Sequence, residues 1–140
     1  ELPFDEIKIV HDHCGTCTRC IDACPTKAIV ANRIIDARLC ISYQTIEIKG
    51  EIDKTLKGQF ENQVFGCDIC QDVCPWNLKS EPNNEPDFQP NPKLMELDNS
   101  DWHKMEKPLF NELFKNSAVK RAGFKGLKRN LEFIQTSKNG

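Results

Sequence analysis

Cys14-Gly15-Thr16-Cys17-Thr18-Arg19-Cys20-Ile21-Asp22-Ala23-Cys24-Pro25 is a C-x2-C-x2-C-x3-C run closed by proline. Cys67-Asp68-Ile69-Cys70-Gln71-Asp72-Val73-Cys74-Pro75 repeats its C-x2-C-x3-C half. Cys40 stands between the two groups and completes a set of eight cysteines. Thiolates three apart in a tight loop can converge on one iron–sulfur cube, while the last cysteine of such a run points away and serves a neighbouring cube. Each trailing proline lacks an N–H and ends the preceding turn, so the chain can swing away after Cys24 and Cys74.

In a two-cluster arrangement each half supplies three ligands to its own cube and one to the other. Cys14, Cys17 and Cys20 are therefore expected to share a cluster with Cys74, while Cys24 crosses over to join Cys67 and Cys70. The position that would complete the second set, three residues before Cys67, is Val64. Cys40 is the one thiol left, so the second quartet is read as Cys24, Cys40, Cys67 and Cys70. Two other chemistries use clustered cysteines. Disulfides suit secreted chains, whereas these thiols are crowded at three- and four-residue intervals in an ordinary globular composition. Structural zinc takes separated C-x2-C pairs in preference to three successive steps. Two [4Fe-4S] clusters are the preferred reading over both. His11 and His13 lie just ahead of Cys14, but eight thiols already suffice, and these read as loop histidines.

The chain has 140 residues, enough for one domain or one with a small appendage. Hydrophobic residues make up a modest 39%, so metal clusters would have to replace part of the missing core. Iron–sulfur sites imply a reducing compartment, which makes the cytoplasm the expected location. No apolar run is long enough to cross a membrane, and the N-terminus has no signal-peptide pattern. The first residue is Glu1 and not Met, which reads as an excerpt of a longer chain. The net charge of −2 is unevenly spread. Residues 80–100 carry five acids (Glu81, Glu85, Asp87, Glu96, Asp98) against Lys93, a balance of −4. Residues 101–140 carry nine bases against four acids, a balance of +5. Within that stretch Lys120, Arg121, Lys125, Lys128 and Arg129 meet no intervening acid, a hint of a polyanionic partner.

Along the chain, residues 1–13 read as an extended lead-in and Cys20–Cys24 as a short helical turn. Ala28–Val30 and Arg33–Ile35 read as a small hairpin about Ala31-Asn32. Asp36 is an expected N-cap for a helix from Ala37 to Glu47, with Leu39, Tyr43 and Ile46 on one face and Cys40 beside it. Residues 51–66 are expected to form a helical excursion around Leu56 and Phe60, with Gly66 opening the second cysteine loop. Trp76 reads as an apolar lid over a cluster. Four prolines within 80–92 mark a linker or surface loop. Beyond it, Ser100 or Asp101 can cap a helix, and Pro108 suits the first turn of the next. Leu109, Phe110, Leu113 and Phe114 form an apolar stripe, and Ser117 can cap a further turn. Leu127, Leu131 and Ile134 line a last helix. The bases sit around its N-terminal end, where backbone N–H groups favour phosphate, against the plainer reading of a solvated basic face.

The fold class expected is α+β. A ferredoxin-like domain with two [4Fe-4S] clusters would cover residues 1–79, a Pro-rich linker 80–99, and a short basic helical C-terminal segment 100–140. Three segments are specific enough to resemble a family: Asp12 to Cys20, Cys40-Ile41-Ser42-Tyr43-Gln44-Thr45-Ile46-Glu47, and Phe65-Gly66-Cys67 through Pro75-Trp76-Asn77. Together with Ser117-Ala118-Val119-Lys120-Arg121 and Gly126-Leu127-Lys128-Arg129-Asn130, they resemble the iron–sulfur part of epoxyqueuosine reductase. The resemblance accounts for the isolated Cys40. It implies an oxidoreductase that passes electrons through two clusters to cobalamin and so reduces epoxyqueuosine to queuosine in tRNA. The general acid and most of the cobalamin pocket would lie in a preceding domain, so no catalytic residue is assigned here. Ser42 and Asp68, beside second-cluster ligands, are the expected cobalamin contacts. Lys120, Arg121, Lys125, Lys128 and Arg129 are the expected tRNA contacts. A low-potential electron donor, a monomeric state and no membrane association complete the expectation. The competing readings are a free-standing two-cluster ferredoxin of bacterial type, and a non-redox RNA-binding module with structural metal. The length beyond Pro75 argues against a bare carrier.

Overall fold

Thiol-rich loops and short helices dominate the N-terminal half, because the cysteine runs leave little room for longer elements. A computed structural model of the chain describes residue 11 and residues 13–135; the rest of the expected lead-in lies outside the described residues. The elements in order are α1 (Arg19–Ala23), β1 (Ile29–Ala31), β2 (Ile34–Ile35), α2 (Ile41–Ile46) and α3 (Ile69–Asp72). There follow α4 (Pro92–Met95), α5 (Asn99–Lys104), α6 (Lys107–Leu113) and α7 (Gly123–Gln135). Short 3-10 turns occur at Lys54–Leu56, Asn77–Lys79, Pro86–Phe88 and Ala118–Arg121. The described chain is mostly helical, with one two-stranded antiparallel sheet pairing Ile29 with Ile35 and Ala31 with Ile34.

Several local expectations shift. The hairpin turn falls on Asn32-Arg33, one residue later than expected, with Arg33 in the left-handed region at φ 61°. The helix expected from Ala37 begins only at Ile41. Asp36 does not cap it. Its carboxylate instead accepts the Arg38 backbone N–H at 3.0 Å and the Arg38 guanidinium at 2.9 and 2.6 Å, holding 36–40 in turns. Local side-chain bonds of this kind compete with helix formation. Cys40 is extended (φ −70°, ψ 124°) and takes the N-cap position, not a helical face. The buried side of α2 is consequently Ile41, Gln44 and Thr45, while Tyr43 is exposed.

The helical excursion across 51–66 shrinks to the single turn Lys54–Leu56, because Gly58 and Glu61 both adopt positive φ. Leu56 and Phe60 are buried nonetheless. Asp98, not Ser100 or Asp101, caps α5. Its side chain accepts the Asp101 N–H at 2.8 Å, and Asp101 accepts the Asp98 N–H at 3.0 Å, a reciprocal capping box. Pro108 sits in the first turn of α6 and Ser117 caps the 118–121 turn, as expected.

Two apolar clusters hold the fold. Met105, Phe110, Leu113, Phe114, Leu127 and Leu131 form one, and Ile41, Ile52, Leu56, Phe60 and Ile134 form the other. Helix α7 contributes to both, because residues four and three apart fall along one stripe of its surface. Of the expected stripe, Phe110, Leu113 and Phe114 are buried and Leu109 faces outward. Phe110 is 2% exposed and contacts the Phe114 ring at a centroid distance of 5.0 Å. Phe110→Ala should lower the thermal midpoint of the cluster-loaded protein by roughly 10 °C, from the usual cost of emptying an aromatic core site. Leu109→Ala should move it little. Circular dichroism melts of the two variants check the contrast.

Candidate metal centres

The two cysteine runs build two equivalent corners. Gly15, at φ 54°, lets the chain turn between Cys14 and Cys17, and the Cys17 N–H closes that turn on the Cys14 carbonyl at 3.0 Å. Cys20 lies within α1. Cys24 follows the helix in extended backbone (φ −66°, ψ 112°), so it leaves the face that Cys20 occupies. The second run copies this: Cys67 precedes α3, Cys70 lies in it and Cys74 follows it. Helices α1 and α3 pack directly on one another, which places the trailing cysteine of each run beside the leading cysteines of the other.

The consequence is two cavities with four sulfurs each. Cys14, Cys17, Cys20 and Cys74 line the first, a cavity of about 220 Å³ that also meets His13 and Trp76. Cys24, Cys40, Cys67 and Cys70 line the second, a smaller one of about 50 Å³ walled by Ala28, Ile29, Ile35, Ile41 and Ile69. Cys40 reaches the second cavity because it immediately precedes α2. Val64, at the position where a cysteine is missing from the second run, packs instead between the two apolar clusters. Among the described residues, no three His, Cys, Asp or Glu side chains gather closely enough to hold a single metal ion. Four sulfurs spread around one cavity fit instead a cube that offers one iron to each thiolate.

The second cavity treats its thiols unequally. Burial pushes the Cys67 thiol up, with added repulsion from Cys70, Cys40 and Cys24. Burial does the same to Cys70, with Cys40 and Cys20 adding to it. Cys24 differs. Burial opposes its ionisation, yet bonds from the Thr26 hydroxyl and from the backbone N–H groups of Ile29, Ala28 and Thr26 outweigh it and hold the thiol below its ordinary value. The Ala28 N–H lies 3.3 Å from the Cys24 sulfur and Thr26 Oγ1 lies 3.7 Å away. Hydrogen bonds to sulfur are one of the levers that set a cluster's potential.

Trp76 lines the first cavity, where its Nε1 donates to the His13 carbonyl at 3.3 Å and its ring meets the His13 ring at 4.9 Å. It remains 55% exposed, so it covers the rim of the cavity and does not plug it. Ser42 is half-buried on α2, whereas Asp68 is exposed just before α3 and lines an open cavity with Gln71, Asp72 and Asn77.

The basic residues divide into two kinds. Lys120, Arg121 and Lys125 are exposed. Lys120 donates to Asn111 Oδ1 at 3.0 Å, and Arg121 pairs with Glu47 at 2.7 Å, holding that carboxyl below its usual range. Lys128 donates to the His103 carbonyl. Arg129 is spent on the fold: its guanidinium donates to the carbonyls of Ile48 (2.8 Å), Gly50 (2.7 Å) and Gln44 (3.0 Å) and to Asn130 Oδ1. Sequence reading missed this clamp, since an arginine inside a basic run carries no local sign that carbonyls 80 residues away await it.

A family model described as a 4Fe-4S double cluster binding domain matches residues 13–77. An epoxyqueuosine reductase of Cellulophaga algicola is 53% identical over 126 residues, covering 90% of this chain and 41% of the relative. One from Pseudomonas aeruginosa is 43% identical over 130 residues, covering 93% of this chain and 36% of the relative. The solved epoxyqueuosine reductase of Bacillus subtilis superposes with a TM-score of 0.85 at 31% identity, over 96% of this chain and 36% of that one. A crystal structure of epoxyqueuosine reductase with an epoxyqueuosine-modified tRNA-Tyr stem loop matches with the same score, identity and coverage. The chain thus spans about two-fifths of the length of the curated relatives it matches.

The shared cavity makes a prediction about Cys40. Cys40→Ala should lower bound iron and sulfide by about half while the spectrum of the first cluster persists. Metal analysis with low-temperature electron paramagnetic resonance (EPR) checks this, and two undisturbed clusters would remove Cys40 from the ligand set.

Proposed function

Because this chain belongs to the epoxyqueuosine reductase family, we propose that it is the iron–sulfur portion of such an enzyme. It relays electrons through two [4Fe-4S] clusters to cobalamin, for reduction of epoxyqueuosine to queuosine in tRNA. The observation that carries this reading is the pair of cavities, each lined by four cysteines, with both runs contributing to both cavities and Cys40 completing the second. Cys14, Cys17, Cys20 and Cys74 hold the first cluster; Cys24, Cys40, Cys67 and Cys70 hold the second. Residues 1–79 form the ferredoxin-like double-cluster domain, 80–99 the linker and 100–140 the basic helical segment.

Cobalamin, bound mostly by a part of the enzyme outside this chain, supplies the reduced centre that opens the epoxide; Ser42 and Asp68 are the contacts offered from this side. The residues of this chain have a simpler task. Cysteine sulfurs would hold the two clusters at sites that adjoin through the α1–α3 contact, the clusters when bound supplying one-electron transfer, and apolar walls at the second site exclude water. A low potential suits reductive opening of an epoxide, and cluster potentials extend well into that range. The electron donor is correspondingly a low-potential one.

The tRNA is a polyanion, and the basic edge 120–129 is its proposed landing surface. The exposed Lys120, Arg121 and Lys125 lead there, while Lys128 and Arg129 add charge from within the fold. A monomer in the cytoplasm suits this role; no helix among the described residues is long and apolar enough to cross a membrane. A free-standing ferredoxin is the weaker reading, because the likeness to the reductases runs past the cysteine runs into the C-terminal helices, over 90% of the chain.

Two measurements test the proposal. Anaerobically purified protein should carry about eight irons and about eight sulfides per chain, and colourless, sulfide-free material would end the cluster reading. Replacing Lys120 and Lys125 together with alanine should flatten the log–log salt dependence of tRNA affinity by about two. An unchanged slope would move the RNA surface elsewhere.

A further inference from the structure

Thr45 and Asn130 are both completely buried and polar, whereas the other large, fully enclosed side chains among the described residues are apolar. Asn130 Nδ2 donates to the Thr45 carbonyl and to the Val64 carbonyl, at 2.8 Å each. Its Oδ1 in turn accepts from the Arg129 guanidinium at 2.8 and 3.1 Å. The Thr45 hydroxyl donates to the Ile41 carbonyl at 2.8 Å and accepts the Gly66 N–H at 3.0 Å. Ile41 follows Cys40, and Gly66, at φ 79°, precedes Cys67. One hydrogen-bonded chain therefore runs from α7 to the residues flanking two sulfurs of the second cavity.

We propose that Thr45 is a positioning residue for the second cluster: its hydroxyl holds the Gly66–Cys67 segment against the start of α2, and so sets Cys67 relative to Cys40. The inference rests on the reading that Cys24, Cys40, Cys67 and Cys70 carry a cluster. Cys24 and Cys70 are placed by the contact of α1 with α3, which does not involve Thr45. Cys40 and Cys67 come from separate loops; the hydroxyl joins them directly at Gly66, while the Asn130 amide bridges the same two segments further back, between the Thr45 and Val64 carbonyls. A buried N–H without a partner is costly, so removing the acceptor drives Gly66, and Cys67 with it, toward a new arrangement. Valine matches threonine in shape and offers neither donor nor acceptor; serine keeps both. None of the residues of this chain of bonds lines the first cavity, so the first cluster reports whether the protein as a whole is intact.

The test compares Thr45→Val and Thr45→Ser in the cluster-loaded full-length protein, by EPR-monitored redox titration and by iron release to a chelator. Cys40→Ala identifies which signal belongs to the second cluster. With Thr45→Val the second cluster should shift in midpoint potential and lose iron about tenfold faster, the factor expected for one buried hydrogen bond of ordinary strength. The first cluster should keep its wild-type potential and release rate, and Thr45→Ser should restore both properties of the second. Equal changes in both clusters, no change in either, or failure of serine to restore the second would overturn the proposal. Absence of any cluster from the parent protein would overturn the underlying ligand reading, and metal analysis of the unsubstituted chain separates that outcome from the others.

Discussion

Gathering four thiolates into one small cavity is unfavourable by itself, since burial and mutual repulsion both oppose their ionisation. The raised thiols of Cys67 and Cys70 register that opposition. Iron reverses the sign: a cluster's cations hold the thiolates ionised, and cluster binding becomes folding free energy. On the proposed ligand reading, the N-terminal half of this chain depends on that exchange. Helices α1 and α3 span five and four residues and bury no residue fully, so neither would persist on its own packing. With the proposed ligand set, sulfur–iron bonds would give these short elements a reason to face each other.

The C-terminal helix plays the complementary part. Helix α7 is the longest element described, at 13 residues, and it feeds both apolar clusters. Its Arg129 and Asn130 then reach past the hydrophobic contact to satisfy carbonyls at the end of α2 and at Val64. The Gln44 and Thr45 carbonyls are orphan acceptors of the α2 C-terminus, while those of Ile48, Gly50 and Val64 belong to the connecting chain beyond it. A planar guanidinium serves three of these carbonyls at once, which a lysine could not do with the same geometry. The segment proposed to face RNA is thus joined by direct bonds to the half proposed to carry electrons.

That arrangement divides the labour among charges that look alike in sequence. Arg129 is structural, Lys128 is tied to the His103 carbonyl, and Arg121 is shared with Glu47, leaving Lys120 and Lys125 at the outer edge. Ion pairs at such exposed positions contribute little to stability. Arg121 can therefore exchange its carboxylate partner for a phosphate at small cost, whereas Arg129 cannot leave without stranding several carbonyls.

The spacing of each cysteine run pointed to two centres, because ligand geometry on a cube constrains residues only a few positions apart; Cys40 entered the second quartet as the one thiol left over, and the two cavities are lined by the same two quartets. The apolar residues of α6 and α7 were legible for the same local reason, a helical period. The start of α2 was not. Asp36 looks like a helix cap in sequence, and only the folded chain shows it turned toward Arg38 with Cys40 taking the cap position. Nor could sequence reveal that Thr45, Gly66 and Asn130 meet, since their bonds join positions 21 and 85 residues apart. Long-range hydrogen bonds leave no periodic trace. They exist only once two apolar clusters have closed on α7, and that closure is a property of the tertiary structure.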